Sequence, residues 1–439
     1  MRILVWGLGY VGTVSAACFA RLGHEVIGID PNSTKVEAIN RGDCAIKEPK
    51  LHELITQAVQ AGTLRATTNG TDGIAQAEIS LICVGTPSSA DGSPQLGYVE
   101  AVTREIGRGL KGIPQYHVVC LRSTVFPGTS RNLLARILEE DSGKKAGDDF
   151  GLVMNPEFLR EGCAVNDFNT PPYTIVGELN RQSGEALDRL YQGIEAPIQH
   201  VSLEEAELLK ITNNVFHALK VGFGNEIGRV CDSLGIDSHR LMKLVCMDTK
   251  LNISPAYLMP GFAFGGSCLP KDLRSLTYNA RRLGIEVPIV ESILPSNSQQ
   301  VNLARIKLQE VGAKKVGILG LSFKSGTDDL RESPILSLIR DLWQDGVDVL
   351  VYDPDVNLQE MLGANLEYLE RQLPQIKTIL CERAEDMMSR SDVLVVSQKR
   401  PEFLDLLQHV HSSVLVLDLV RLADRPESLG FARYKGISW

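Results

Sequence analysis

The first third of the chain alternates short, continuous apolar runs with stretches of helical spacing. RILVWG (2–7), EVIGID (25–30), ISLICVG (79–85) and HVVCLRST (117–124) read as strands, with helical segments such as TVSAACFARLG (13–23) between them. Continuous apolar runs mark strands buried on both faces, and the βαβ rhythm predicts a parallel sheet covered by helices. FGLVMNPEF (150–158) and YTIVGE (173–178) extend this parallel pattern toward residue 180. From Ser202 the periodicity becomes helical and strands disappear until about residue 310. Ser202 is expected to cap the first helix there, with Glu204 and Glu205 in the turn where acids suit the helix dipole. Gly222, Gly224 and Gly228 are expected to loosen or bend its second half. Strand and helix then alternate again through KKVGILGL (314–321), SPILSLIRDLWQDG (333–346) and VDVLVYDPD (347–355). EVIGIDP and VDVLVYDP, ending at Pro31 and Pro354, close the same plan of strand, glycine turn, helix and strand. The pattern predicts two doubly wound α/β domains, 1–200 and 311–439, joined by a helical central domain, 201–310.

Composition narrows the partners. Lys and Arg total 45 against 54 Asp and Glu, a net charge of −9 over 439 residues. Counterion release on nucleic acid needs a basic face, so no nucleic-acid partner is expected. Hydrophobic residues make up 44%, ample for a folded core. No run approaches the ~18 apolar residues of a membrane span, so no membrane partner is expected. MRILVWGLGYVG carries one basic residue, a short apolar run and no small-residue cleavage site, and reads as the first strand of a cytoplasmic protein. Nine cysteines are scattered without a C-x-x-C pair, which fits free thiols in a reducing compartment. The histidines show no metal-ligand spacing, so no metal is expected. His409 and His411 read as a surface pair on one face of a strand.

Gly7-Leu8-Gly9-Tyr10-Val11-Gly12 follows a strand and opens a helix. In such a turn Gly7 permits the bend, Gly9 lets a pyrophosphate approach the backbone, and Gly12 lets helix and strand pack closely. Asp30 ends the next strand, where a carboxylate accepts ribose hydroxyls and repels a 2′-phosphate, favouring NAD over NADP. Thr86 and Thr124 follow buried strands, whose carboxyl ends face the ligand crevice; each also suits an ordinary helix N-cap. Glu157 and Glu161 in NPEFLREG follow another strand, and composition alone favours a solvated loop. Lys210, Asn214, His217 and Asn225 fall within an arc of about 80° on one helix, a polar stripe that fits a ligand face or a solvated one. Cys268 ends a glycine-rich loop just before a helix that Pro270 can start. A helix N-terminus and Lys271 both favour thiolate, the setting of an activated nucleophile. Lys324 and Arg331 flank an acidic loop and suit phosphate contacts or a surface charge cluster.

Seven blocks in chain order resemble the nucleotide-sugar 6-dehydrogenases, the UDP-glucose/GDP-mannose dehydrogenase family. They are GLGYVG, VGTP, RSTV, NPEFLREG, the Lys210/Asn214 helix, FGGSCLPKD and SFKSGTDDLRESP. The resemblance implies Rossmann-like outer domains and an NAD-dependent, four-electron oxidation of a sugar C6 alcohol to a carboxylate. Cys268 would capture the aldehyde as a thiohemiacetal, later a thioester that water cleaves. By position, Lys210 and Asn214 would stabilise the oxyanion, Asp272 would serve acid/base or water-orienting duty, and Glu157 and Thr124 would assist proton transfer or water placement. Tyr10, Val11, Asp30, Lys35, Thr86, Thr124, Lys271 and Arg331 would contact NAD. Glu161, Lys210, Asn214, His217, Asn225, Tyr257, Phe262, Gly265 and Lys324 would contact the nucleotide sugar. HALKVGFGNEIG with His217, PGFAFGGSCLPKD and GTDDLRESP look most like the members that oxidise GDP-mannose to GDP-mannuronate for a polymer such as alginate. Ala256 and Met259 depart from them, standing where those members tend to carry an aromatic residue and an arginine. Oxidation of UDP-glucose or a UDP-N-acetylhexosamine, a two-electron hydroxyacid dehydrogenase, and a non-catalytic nucleotide-sugar-binding regulator stay open as alternatives. The family dimerises through its helical middle, which implies a homodimer or larger homo-oligomer.

Overall fold

The computed structural model describes all residues except 45, 88, 90–92, 255–259, 267–268, 323–329, 357, 359–363, 424–432 and 439. Ala256, Tyr257, Met259, Cys268 and Lys324 therefore lie outside the described residues. Contacts divide the chain into two units, Met1–Ala218 and Leu219–Trp439.

The first unit is built on an eight-stranded sheet of order β3-β2-β1-β4-β5-β6-β7-β8. Its strands are β1 (Arg2–Trp6), β2 (Glu25–Ile29), β3 (Leu64–Thr67), β4 (Ile79–Ile82), β5 (His117–Leu121), β6 (Phe150–Met154), β7 (Thr174–Glu178) and β8 (Ile198–Val201). Every residue of β4, β5 and β6 is buried. Helices cover both faces, which is why these strands are apolar without alternation. The second unit holds β9 (Lys315–Leu319), β10 (Asp348–Tyr352), β11 (Val393–Val396), β12 (Leu415–Asp418) and β13 (Tyr434–Gly436). They pair all parallel in the order β10-β9-β11-β12-β13. Between β8 and β9 in sequence come helices Leu203–Ser233, Ser238–Met247, Leu269–Arg282 and Pro288–Glu310. Ser202 caps the first of them in a reciprocal box with Glu205, each accepting the other's backbone N–H. That helix runs unbroken to Ser233.

One strand runs against expectation. β7 pairs antiparallel with β6, through Val153↔Glu178 and Met154↔Gly177. A parallel strand would require residues 155–173 to cross back to the start of the sheet. They stay at the carboxyl end of β6 instead, so NPEFLREG and Tyr173 remain beside the ligand crevice. β8 runs parallel to β7. The chain therefore leaves β8 at the far end, and the long helix carries Lys210 back, rising ~1.5 Å per residue.

Buried glutamates fasten three of the joints. Glu48 accepts the Gly162 and Ala164 N–H groups, both at 2.8 Å, at the start of helix Ala164–Asn169, and also the Tyr10 hydroxyl. Glu207, 0% exposed, accepts Gly128 N–H at 2.6 Å and Ser130 N–H at 2.7 Å, opening the helical stretch Ser130–Leu134. Glu226 accepts Ile289 and Val290 N–H, at 2.8 and 3.1 Å, in the first turn of Pro288–Glu310. The first N–H groups of a helix have no intrahelical acceptor, so each carboxylate fills that vacancy from a distant part of the chain.

Burial pushes the Glu48 carboxyl up, but the Tyr10 hydroxyl and the Gly162 and Ala164 N–H groups outweigh it and hold it below the ordinary glutamate range. A depressed carboxylate contributes stability that is complete above its unfolded pKa and is lost as pH falls through the folded one. Glu48→Gln should therefore lower stability by ~1–3 kcal/mol at pH 7. In denaturant melts across pH, the gap to wild type should close below about pH 4. A gap that stays constant into acid would contradict the charge's role.

Candidate active site

The first turn is keyed to its neighbours by the backbone. Gly7 takes φ +95° and donates its N–H to Ile29 O at 2.7 Å. A β-carbon at Gly12 would lie 1.8 Å from the Gly7 carbonyl oxygen, so only glycine lets helix Tyr10–Arg21 start this close. At Gly9 a β-carbon would meet nothing within 4 Å. That open space lies before a helix N-terminus, where a diphosphate can approach. Asp30, 5% exposed, closes the far side. Its Oδ2 accepts Leu8 N–H at 2.9 Å and the Lys35 ammonium at 3.0 Å, and its Oδ1 accepts Asn32 N–H at 3.0 Å. Burial raises this carboxyl's pKa, but Asn32, Lys35 and Leu8 outweigh it and keep it below the usual carboxylate range. A charged acceptor here suits the hydroxyls of an NAD ribose. The Thr86 hydroxyl donates to Thr124 O at 2.8 Å, tying the segments after β4 and β5 rather than capping a helix.

Beside that turn, a cleft of about 430 Å³ opens at the carboxyl ends of β5 and β6. Glu157, Phe158, Tyr173, Lys210, Asn214 and His217 are among its lining residues. Lys210 Nζ pairs with Glu157 Oε1 at 2.8 Å, with side chains only 9% and 11% exposed. Glu157 thus stands in a shielded ion pair, where composition favoured a solvated loop. The Lys210 ammonium also sits 5.6 Å from the Phe158 ring centroid. Phe158 meets Tyr173 edge-on, and the Asn213 amide donates to the Tyr173 hydroxyl at 3.2 Å. Deeper in the cleft lies Arg122, a buried guanidinium. It donates to the Asn155 side-chain oxygen and, at 2.8 Å, to the Tyr191 hydroxyl. Asn155 in turn donates to Ile175 O at 2.8 Å. The β6 end that carries Glu157 is thereby pinned to β5 and β7.

In the second unit, helix Leu269–Arg282 begins directly after Cys268 in sequence, with Pro270 as its second residue. The approach to it is held at Phe264, whose N–H and C=O bond the Asn297 side chain at 2.9 and 2.8 Å. A β-carbon on Gly265 would crowd the Glu332 carbonyl and Pro334, so close packing accounts for this glycine. Arg274 on the helix pairs with Glu332. Lys271 and Asp272 are exposed and pair with each other at 3.4 Å. Phe262 packs against the second unit's core.

The structure thus gathers Glu157, Lys210, Asn214 and His217 around one cleft and places Gly7, Gly9, Tyr10, Val11, Gly12, Asp30 and Lys35 around the first turn. Asn225 lines a cleft of the second unit with Arg229 and His239. Glu161 and Arg331 are exposed. His409 and His411 are exposed in the turn after helix Pro401–Leu407, not on a strand. Motif reading missed Glu48, Asn155, Tyr173, Tyr191 and Asn213. Only Asn155 carried a signal, its place directly after a buried strand.

Three models of the UDP-glucose/GDP-mannose dehydrogenase family match in succession: the NAD binding domain over residues 1–195, the central domain over 204–299 and the UDP binding domain over 317–425. The chain is 45% identical to GDP-mannose 6-dehydrogenase of Pseudomonas aeruginosa and 44% to that of Azotobacter vinelandii, each covering 100% of both chains. It is 33% identical to a UDP-glucose 6-dehydrogenase of Haloferax volcanii, covering 98% of this chain and 99% of that one. Among solved structures, a ternary complex of the Pseudomonas aeruginosa GDP-mannose dehydrogenase superposes with a TM-score of 0.96, at 45% identity and 100% coverage of both chains. A UDP-glucose dehydrogenase of Pyrobaculum islandicum gives 0.56 at 33% identity, covering 100% of this chain and 98% of that one.

The cysteines make the site's chemistry testable. Burial pushes the Cys18, Cys83 and Cys120 thiols up to about 12, which leaves them inert. Cys163 and Cys246 are exposed. With iodoacetamide at pH 8, peptide mass spectrometry should find Cys268 modified first and Cys163 and Cys246 next. Cys18, Cys83 and Cys120 should label at least ~100-fold more slowly. Labelling of Cys83 or Cys120 at the rate of Cys268 would contradict the expectation of one activated thiol.

Proposed function

The chain belongs to the UDP-glucose/GDP-mannose dehydrogenase family, and we propose that it carries out the four-electron oxidation of GDP-mannose to GDP-mannuronate with two NAD+. It is an NAD-dependent nucleotide-sugar 6-dehydrogenase. What carries the choice of sugar is likeness over the whole chain, 45% to a GDP-mannose enzyme against 33% to a UDP-glucose enzyme. The product suits a mannuronic-acid polymer such as alginate. No described helix is long and apolar enough to cross a membrane. A free thiol nucleophile works best in a reducing compartment, which favours the cytoplasm.

NAD+ supplies the hydride acceptor when bound to the first turn. The rest falls to the chain's own side chains. The Lys210 ammonium, resting on Glu157, turns to the C6 oxygen as negative charge develops there, with the Asn214 amide as second donor. Glu157, released from Lys210, takes the hydroxyl proton directly or through a water that Thr124 orients. The Cys268 sulfur adds to the aldehyde carbon, and loss of a second hydride from that carbon leaves a thioester. One water, with Asp272 as its base, then cleaves the C–S bond and returns the thiol and a carboxylate. Glu161, His217, Asn225, Tyr257, Phe262, Gly265 and Lys324 serve the nucleotide sugar in this reading, and Lys271 and Arg331 serve NAD.

The enzyme works as a homodimer in this reading. Residues 214–220 of the long helix are all exposed and include Val215, Phe216 and Leu219. Met247, on the next helix, is 75% exposed. A helix apolar on its open sides needs a cover, and a second copy supplies one.

A panel of nucleotide sugars with NADH counted per turnover tests the proposal. GDP-mannose should yield two NADH per molecule oxidised and UDP-glucose none, and Cys268→Ser should lose net acid formation. Turnover of UDP-sugars alone would correct the substrate. One NADH per sugar, with Cys268→Ser fully active, would replace the reaction by a two-electron oxidation.

A further inference from the structure

The cleft at the carboxyl ends of β5 and β6 holds more positive charge than negative. Its charged lining residues are Arg122, Glu157, Arg160, Asp167 and Lys210. Arg160 and Asp167 cancel one another in a two-pronged pair, Nη2 to Oδ1 at 2.7 Å and Nε to Oδ2 at 3.0 Å. Glu157 and Lys210 cancel in their pair at 2.8 Å. Arg122 is left over, and a proton on His217 would only add to the excess.

That excess charge is fixed. A guanidinium keeps its proton in a protein. Arg122 is only 4% exposed. Its acceptors among the described residues are neutral: the Asn155 side-chain oxygen, the Asn155 backbone oxygen at 3.5 Å and the Tyr191 hydroxyl at 2.8 Å. Its buried Nε has no acceptor among the described residues. Tyr191, Cys83, Glu157 and Cys120 act on it electrostatically. Burial pushes both thiols up to about 12 and raises the Tyr191 hydroxyl as well, so these three stay neutral at pH 7. Of the four, Glu157 alone carries a charge, and Lys210 already holds it.

The groups that grip the guanidinium are themselves held. The Tyr191 hydroxyl donates to the Asn155 side-chain oxygen at 2.7 Å, and the Asn155 amide donates to Ile175 O at 2.8 Å. Arg122 therefore cannot leave for water. Tying β6 to its neighbours takes hydrogen bonds, which neutral side chains supply at lower cost than a buried cation without a counter-ion of its own. The charge asks for a further reason.

The reaction at this cleft supplies one. It begins with a neutral C6 alcohol and ends with a C6 carboxylate. A cleft of zero net charge gains nothing from the anion, which must shed its water to enter. A cleft with one cation in excess becomes neutral when the anion forms in it, and in a shielded place that attraction is strong over several ångströms. We propose that Arg122 makes this cleft a carboxylate subsite, its guanidinium acting through space as counter-ion to the C6 carboxylate of the product. This rests on the nucleotide-sugar reading above. Arg122 is then a positioning residue by charge, and product retention is built into the cleft.

Equilibrium binding by the full-length enzyme separates charge from packing. Titration calorimetry in saturating NADH, which permits no oxidation, gives Kd for whichever nucleotide sugar wild type oxidises and for the uronate it yields. Wild type alone decides the substrate reading, because failure to oxidise any nucleotide sugar would overturn that reading before a variant is made. Arg122→Gln removes the charge and keeps an amide that can donate to Asn155. Its Kd for the uronate should rise at least ~10-fold more than its Kd for the alcohol. Arg122→Met fills the space with no charge to bury, should show the same split, and carries the test should Arg122→Gln fail to fold. Arg122→Lys keeps the charge with fewer bonds, and Tyr191→Phe keeps it with one acceptor fewer. Both should hold the uronate-to-alcohol ratio within about threefold of wild type. Equal weakening of alcohol and uronate in Arg122→Gln would reduce Arg122 to a bracket between strands and overturn the subsite. Unchanged uronate affinity in a folded, uncharged variant would overturn it too.

Discussion

Carboxylates buried against backbone N–H groups hold this molecule's functional segments in place. Asp30 fixes the first glycine turn, Glu48 the segment after NPEFLREG, Glu207 the stretch after β5, Glu226 the start of helix Pro288–Glu310, and Asp353 a second glycine turn, after β9, through Leu321 and Ser322 N–H. Each is a charged acceptor bonded to peptide donors that secondary structure leaves unpaired. Such bonds are worth ~1.5–3 kcal/mol each, more than neutral ones, because the charge would otherwise be stranded in a poorly solvated place. Removing one therefore frees a loop as well as costing stability.

The two glycine turns begin alike, at Gly7 and Gly320, and the groups gathered around Asp30 and Asp353 set them apart. An open approach at Gly9 and a half-exposed Lys35 beside Asp30 suit the first turn to the dinucleotide of an NAD binding domain. The reversed β7 keeps residues 155–173 on the same end of that sheet, so the Glu157–Lys210 pair lies at the carboxyl ends of the strands rather than behind them. The proposed hydride chemistry draws on this shielded pair. An ammonium held by a carboxylate in a partly dry cleft can turn to a developing oxyanion without water having to reorganise.

Much of this was legible in the sequence wherever the signal was local. The glycine turn with Asp30, the strand–helix rhythm and the Ser202 cap each depend on residues a few positions apart, and each stands in the structure as expected. Strand direction was not legible, because an apolar run such as YTIVGE reads the same in either sense. Glu157 looked solvated because its partner lies 53 positions away on a helix, and composition carries no trace of that pairing. The anchoring glutamates were hidden for the same reason. Glu48 reaches across 114 positions to Gly162, and Glu207 across 79 to Gly128. A carboxylate in such a place resembles any surface acid until the fold brings its donors to it. The Asp-Pro echo at Pro31 and Pro354 was visible, yet the different surroundings of the two aspartates depend on Lys35 in one case and on distant Gln398 in the other.

The central claim concerns amide protons, so amide hydrogen exchange tests it most directly. Leu8, Gly128, Ser130, Gly162, Ala164, Ile289, Val290, Leu321 and Ser322 sit in turns or at helix starts, positions that ordinarily exchange fast. If buried carboxylates hold them, their N–H groups should exchange at least ~100-fold more slowly than exposed loop amides in the ligand-free enzyme at pH 7. Exchange of these amides at loop rates, with the strands beside them still protected, would show that the segments are not held and would contradict the account.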